Sequence, residues 1–216
     1  MKKAGILLAI LLIVTSIGVV AYSSDSSPVE AELGTYYEEA TERESSTSDT
    51  VAATYKEEKV MMSVVEYQKQ TQAALAGSAS GETVSDREIV DDILKNVILL
   101  EEAENRGLTP STEEVEQYLQ ETVYAAYELP EGKEGIDAYC ANAGITYDEY
   151  VDDQRAQAPK ILAKWNLKET IAKEYCQNHG LTYDRLNPPQ EALDAVEEYL
   201  SSLLDEHKDD IIYYID

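Results

Sequence analysis

Residues 85–122 read SDREIVDDILKNVILLEEAENRGLTPSTEEVEQYLQET, and this stretch decides the fold. Ser85 and Glu88 form an S-x-x-E capping box, in which each side chain satisfies an orphan N–H of a first helical turn. Apolar residues then recur at Ile89, Ile93, Val97 and Leu100, flanked by Val90, Leu94 and Ile98. That wide stripe follows the period of a helix face pressed into a core. Gly107 suits the left-handed conformation that ends a helix, and Leu108 can cover the last turn. Ser111 and Glu114 open the next helix with a second capping box. The stretch therefore specifies helix, corner and helix.

Working downstream, Val115, Tyr118, Leu119 and Val123 give the second helix an apolar face that stops before Pro130. A Gly-rich loop and a short helix over 135–143 follow. Gly144 to Glu149 then repeats the corner, with Thr146 and Glu149 as its capping box. The long helix after it carries Tyr150, Val151, Ala158, Ile161, Leu162, Trp165, Ile171 and Tyr175. Pro159 lies inside that pattern and predicts a kink or break, because it removes a backbone bond and clashes with the preceding turn. Gly180 begins a third corner, but Arg185 replaces the glutamate and Pro188-Pro189 follow, which predicts an exit into a different segment. Ala192, Leu193, Val196, Tyr199, Leu200, Leu203 and Leu204 form a closing helix, and 211–215 (IIYYI) is a β-type run.

Upstream, Val51–Tyr55 is a strand, 56–59 a polar turn and 60–62 a second extended piece. Ser63 and Glu66 then start a helix that the run GSASGE (77–82) breaks. A lone terminal strand is unstable, so the last run needs a partner, and Val51–Tyr55 is the obvious one. Residues 22–50 are rich in Ser, Thr and Glu and lack a sustained apolar period; they are expected to be a disordered linker. Met1-Lys2-Lys3 precedes eighteen uncharged residues, 4–21. That length falls between a cleavable signal and a spanning helix, so both remain open. In either case the two lysines stay inside and the rest is exported, extracytoplasmic and either membrane-anchored or secreted.

The resulting fold class is mainly α. A helical domain over 51–216 has a small β pairing of its N- and C-terminal strands, with a closing helix and strand over 190–216. A membrane helix or signal (1–21) and a disordered linker (22–50) precede it. The net charge of −26, from 43 acidic and 17 basic residues, argues against a nucleic-acid partner. It suits solubility, and it would attract basic partners. Phe is absent while Tyr occurs 16 times, so aromatic packing here ends in hydroxyls that need water or a partner.

The strand, turn and helix of VAATYKEEKVMMSVVEYQKQ (51–70) and the run EIVDDILKNVILLEEAENRGLTPSTEEVEQYL (88–119) resemble the N-terminal chaperone region of the SurA and PrsA group of exported folding factors. The shared corner is A-E-x-R-G-L-T-P-S-x-E-E-V, and the closing IIYYID resembles that group's last helix and strand. The group commonly carries a parvulin-type prolyl isomerase domain before the closing helix. Here the interval 178–190 is too short for one. The resemblance therefore implies a chaperone-like module that binds unfolded or extended polypeptide without catalysing isomerisation. The runner-up is a membrane-tethered adaptor for one dedicated protein partner.

Enzyme signatures are poor. His179 sits at a helix C-terminus, where a cation suits the dipole. His207 lies in an acidic run without the spacing of a calcium loop. No metal, cofactor or catalytic residue is expected. Cys140 and Cys176 are either a disulfide or two buried thiols. The candidate polypeptide contacts are Met61, Met62, Tyr124, Tyr127, Tyr147 and Trp165. Met adapts to varied partners and Tyr offers area with a wet tip. Each also fits an ordinary core, Trp165 most of all, because it falls on the apolar stripe of the long helix.

Overall fold

The computed structural model describes residues 27–44, 49–76 and 84–215. The expected signal or anchor and the 77–82 breaker lie outside the described residues. Helix α1 spans Ser27–Glu44, followed by β1 (Val51–Tyr55), β2 (Glu58–Met61) and α2 (Met62–Ala76). Next come α3 (Asp86–Asn105) and α4 (Thr112–Leu119), which runs through a π-helical turn (Gln120–Tyr124) into α5 (Ala125–Glu128). The chain closes with α6 (Pro130–Ala143), α7 (Tyr147–His179), α8 (Gln190–Glu206), a 3-10 turn (Lys208–Asp210) and β3 (Ile211–Tyr213). The fold is mainly helical with one small sheet.

Three of the four expected capping boxes form, the exception being Ser63 with Glu66. Ser85, Ser111 and Thr146 each accept the N–H of the residue three positions on, and Glu88, Glu114 and Glu149 reach back to the cap N–H. The caps hold these carboxyls below their usual range: the Ser85 hydroxyl for Glu88, and the cap backbone N–H for Glu114 and Glu149. The caps are therefore complete at neutral pH and weaken as acid protonates the glutamates. At Ser111 the N–H to Glu114 Oε2 distance is 2.7 Å. Ser111→Ala removes a first-turn acceptor and is expected to cost about 1 kcal/mol. An unchanged urea midpoint would contradict that.

The corners also share one ending. Gly107, Gly144 and Gly180 lie at φ of +69°, +66° and +69°. In each, the next residue's N–H returns to a carbonyl of the last turn: Leu108 to Ala103, Ile145 to Cys140 and Leu181 to Cys176. This is the Schellman bond, and it requires the left-handed residue.

The sheet has strand order β2-β1-β3, both pairs antiparallel. Thr54 pairs with Ile212 and Tyr55 with Ile211, so the first and last strands meet as expected. Tyr55 Oη lies 3.1 Å from His207 Nδ1, which fixes the entry to β3. The core gathers α3 (Ile89, Ile93, Leu94, Ile98), β1 (Ala52, Ala53, Tyr55), α4 (Leu119) and α7 (Leu167). Tyrosine takes the place that Phe often fills: Tyr67, Tyr139 and Tyr150 are buried, with Tyr139 edge-on to Tyr150 at 5.7 Å. Burial pushes the Tyr67 phenol up to about 12 and raises Tyr139 and Tyr150 as well.

Several expectations are corrected. The disordered linker over 22–50 does not hold across Ser27–Glu44, which is a helix with Leu33, Tyr37 and Ala40 buried against the domain. Pro159 does not break α7, which is continuous from Tyr147 to His179. The loop and short helix expected before Ala143 are one helix, begun by Pro130 in its first turn, where the missing N–H costs nothing. Ser63 does not cap α2. Its N–H and hydroxyl both bind Asp49, at 3.2 and 2.6 Å.

The disulfide alternative is also excluded: Cys140 and Cys176 are buried free thiols. Cys140 belongs to the main core beside Tyr150, and Cys176 to a small cluster with Ala172 and Ala192. Cys176 lies about 26 residues past Tyr150 on the same helix, a rise of about 39 Å. A disulfide needs Cα atoms within about 7 Å. Burial raises the Cys140 thiol to about 11, so it stays protonated and unreactive at neutral pH.

Candidate polypeptide-binding face

One face of α7 gathers four of the six expected contacts. Tyr147, Val151, Arg155, Ala158, Leu162 and Trp165 recur at steps of three and four, which aligns them along the helix. Opposite them runs the α4–α5 segment. The π turn inserts one residue into that segment: the Ala125 N–H bonds to Gln120 O, a five-residue step. Tyr124, within the π turn, and Tyr127, just past it, face the α7 row across buried Val123 and Ala126.

At one end Tyr127 stacks on Tyr147 with centroids 3.9 Å apart and planes 22° apart. Lys133 lies 4.4 Å above the Tyr127 ring and bonds its hydroxyl at 2.7 Å and Asp137 at 2.6 Å. Tyr127 in turn donates to Asp137 Oδ1 at 3.0 Å. The Lys133 hydrogen bond holds the Asp137 carboxyl below its usual range. Burial, with Tyr124 and Tyr127 nearby, raises the Tyr147 phenol. In the middle, Arg155 links three elements: Nη2 to Tyr124 Oη at 3.1 Å, Nε to Glu116 at 3.0 Å and Nη1 to Asp152 at 2.9 Å. At the far end Tyr118 meets Trp165 edge-on at 5.7 Å, and Trp165 keeps 49% of its surface exposed. The core placement of Trp165 is thus corrected: it rests on Tyr118 with half of its surface open to solvent.

Tyr147 and Trp165 are about 18 residues apart, so the open aromatic ends lie about 27 Å from each other, with Val151 and Ala158 buried between them. An extended peptide of about eight residues spans the same distance. The rings at both ends are partly open, and Tyr124 and Tyr127 are held by Arg155, Lys133 and Asp137, which offers apolar area with limited side-chain mobility.

Met61 and Met62 are elsewhere. Met61 pairs with Val51 in the sheet, and Met62 bonds Thr50 O as α2 begins. Both are half-buried against the core. Sequence reasoning missed Tyr118 and Arg155. The spacing of Tyr147, Val151, Arg155 and Ala158 was a usable signal for the arginine, and Tyr118 was read as core.

The remaining features offer less. A cleft of about 430 Å³ is lined by Tyr55, Lys56, Val97, Leu100, Glu101 and Lys160, among others. Two of its lining residues, Lys56 and Glu101, form an ion pair. Both histidines serve neighbouring aromatics: His179 stacks on Tyr175 at 4.0 Å and meets Tyr175 O at 2.8 Å, while His207 holds Tyr55. Among the described residues no group of three His, Cys, Asp or Glu side chains is placed to hold a metal, and no helix is long and apolar enough to cross a membrane. The chain matches no family model, no curated protein and no solved structure.

Proposed function

We propose that this chain is an extracytoplasmic, chaperone-like module that binds unfolded or extended polypeptide and does not isomerise prolyl bonds. The carrying observation is the pair of partly open aromatic contacts along α7, Tyr127–Tyr147 at one end and Tyr118–Trp165 at the other, set in an acidic protein. The SurA and PrsA resemblance supports the same reading, as does residues 181–189 joining α7 to α8 with no room for an isomerase domain. The N-terminal 21 residues would export the domain and, if retained, tether it to the membrane. Net charge keeps the loaded module soluble and favours clients with basic residues.

Trp165 is the single tryptophan of the chain, so its fluorescence reports the face directly. Titrating a permanently unfolded, carboxymethylated protein is expected to shift its emission saturably. Equimolar protein is expected to suppress aggregation of a heat-denatured client. Tyr147→Ala should weaken binding about tenfold, the loss of about 1.4 kcal/mol typical of a strong aromatic contact. Normal aggregation at equimolar protein, or an unmoved Trp165 spectrum, would overturn the reading. So would acceleration of a prolyl isomerisation assay in the case of the missing activity.

A further inference from the structure

The two edges of the sheet are not alike. The β2 edge carries exposed Glu58 and Lys59, charges that discourage further pairing. Within β3 itself no charge stands guard: Ile212 and the following Tyr214 are 55% and 59% exposed. The main-chain bonds show which groups of β3 are taken. Lys56 N–H donates to Asp210 O at 3.0 Å, and Tyr214 N–H donates to Ala52 O at 2.8 Å, on either side of the Thr54–Ile212 pair. Antiparallel bonds alternate, so residues 210, 212 and 214 turn toward β1 and residues 211 and 213 turn away. The Ile211 N–H is already used by Lys208 O in the 3-10 turn. The Ile211 carbonyl and both main-chain groups of Tyr213 face outward, where no described strand meets them.

The side chains alternate the other way. Ile211 is buried, and Tyr213 donates to Asp91 at 2.7 Å beneath the Arg87 guanidinium, 3.3 Å from its ring. Ile212 and Tyr214 therefore share the solvent face. Asp209 and Asp210 are exposed at the start of the strand and form no ion pair among the described residues.

We propose that the β3 edge takes an extended, basic client segment as a fourth strand. Three bonds are available, two to Tyr213 and one to the Ile211 carbonyl. Alternate apolar side chains of the client lie on Ile212 and Tyr214, and its lysines or arginines meet Asp209 and Asp210. Strand addition reads the client backbone rather than its sequence, which suits a binder of many unfolded chains. This rests on the polypeptide-binding reading above and assigns a second place where such a chain is held.

The test is residue-resolved amide exchange of the full chain, with a nine-residue peptide alternating valine and lysine. The control peptide has proline at alternate positions. The first peptide is expected to slow exchange of the Tyr213 amide at least tenfold, leave the paired Ile212 and Tyr214 amides unchanged, and be inactive in its proline form. The double variant Ile212→Lys with Tyr214→Lys alters two exposed side chains and should lose this protection while keeping the circular dichroism of the native chain. If the peptide shifts Trp165 emission but Tyr213 exchange is unmoved, the edge proposal fails and the aromatic row stands. If neither responds, both fail. Tyr213 protection that grows with protein concentration alone would assign the edge to a second copy and overturn the client.

Discussion

Gly34→Val is expected to lower the thermal midpoint of the full chain by about 6–12 °C, the effect of about 3 kcal/mol of overpacking in a domain of this size. Helix α1 lies on α6 with backbone close to backbone at this point. A Cβ on residue 34 would be driven into the Tyr139 carbonyl oxygen, with the Ala143 nitrogen and the Asn142 Cβ each at 3.1 Å. Two of these three atoms are main-chain atoms inside a helix, so no side chain can swing aside. Even Gly34→Ala should destabilise. In an exposed helix interior that change would instead gain about 1 kcal/mol from propensity, so the sign itself distinguishes docked from free. Glu39→Ala, on the exposed side of α1, is the control and should be neutral within about 0.5 kcal/mol. Where the strain is relieved by release of α1, limited proteolysis within Ser27–Glu44 becomes fast. Unchanged melting with unchanged cleavage for Gly34→Val would show that α1 does not pack on α6.

That same contact explains why α1 was illegible as sequence. Its buried positions 30, 33, 34, 37 and 40 do follow a helical period, but they are Glu, Leu, Gly, Tyr and Ala. Counting apolar residues finds a single large one, and the face works by close backbone approach and one tyrosine rather than by bulk. By contrast, the corners at Gly107 and Gly144 were legible because their chemistry is local: a left-handed glycine and a cap carboxylate act within a few residues. The pairing of β1 with β3 could be read because a three-residue strand has no other means of satisfying its backbone. Pro159 was misread because the local rule counts the lost bond and not the surroundings. Ala158 and Ile161, its neighbours in α7, are buried, and tertiary packing offsets the break.

The candidate site was legible as residue types and not as a surface. Tyr124 and Tyr127 meet the α7 row around a π turn, and no residue in QETVY announces such a turn. Trp165 was assigned to the core by periodicity, which gives the face of a helix but not how completely a neighbour covers each residue on it. Met61 and Met62 were chosen for adaptability, yet the sheet and α2 occupy them.

Lys164→Met is expected to make the protein more stable at neutral pH, by about 2 kcal/mol, although it removes a hydrogen-bonded charge. Lys164 sits on α7 between Lys160 and Lys168, one turn away on each side, and its ammonium donates to Asn96 Oδ1 at 2.9 Å. Asn96 is already committed through its amide nitrogen to Asp92 O at 2.8 Å. None of the three lysines has a carboxylate within ion-pair distance among the described residues, in a chain with 43 acidic groups. Burial, with the two like charges, pushes Lys164 down from 10.5 to about 8. Below pH 8 both the folded and the unfolded chain carry the proton, and the folded state bears the full cost of burying it. Between about 8 and 10.5 only the unfolded chain holds the proton, so the stability of the native protein climbs through that window. A shift of this size corresponds to at most about 3.4 kcal/mol at about 1.36 kcal/mol per pH unit. Leaving Asn96 Oδ1 without its donor returns about 1–2 kcal/mol of that. The measurement is the difference in urea-derived stability between native chain and variant from pH 7 to 10.5. The rest of the charge acts on both proteins and cancels in the difference. The advantage of Lys164→Met should shrink steadily above pH 8 and reverse by about pH 10.5, where only the lost hydrogen bond remains. A variant less stable at pH 7, with a gap that does not change with pH, would mean that the ammonium stabilises the α3–α7 contact instead of straining it.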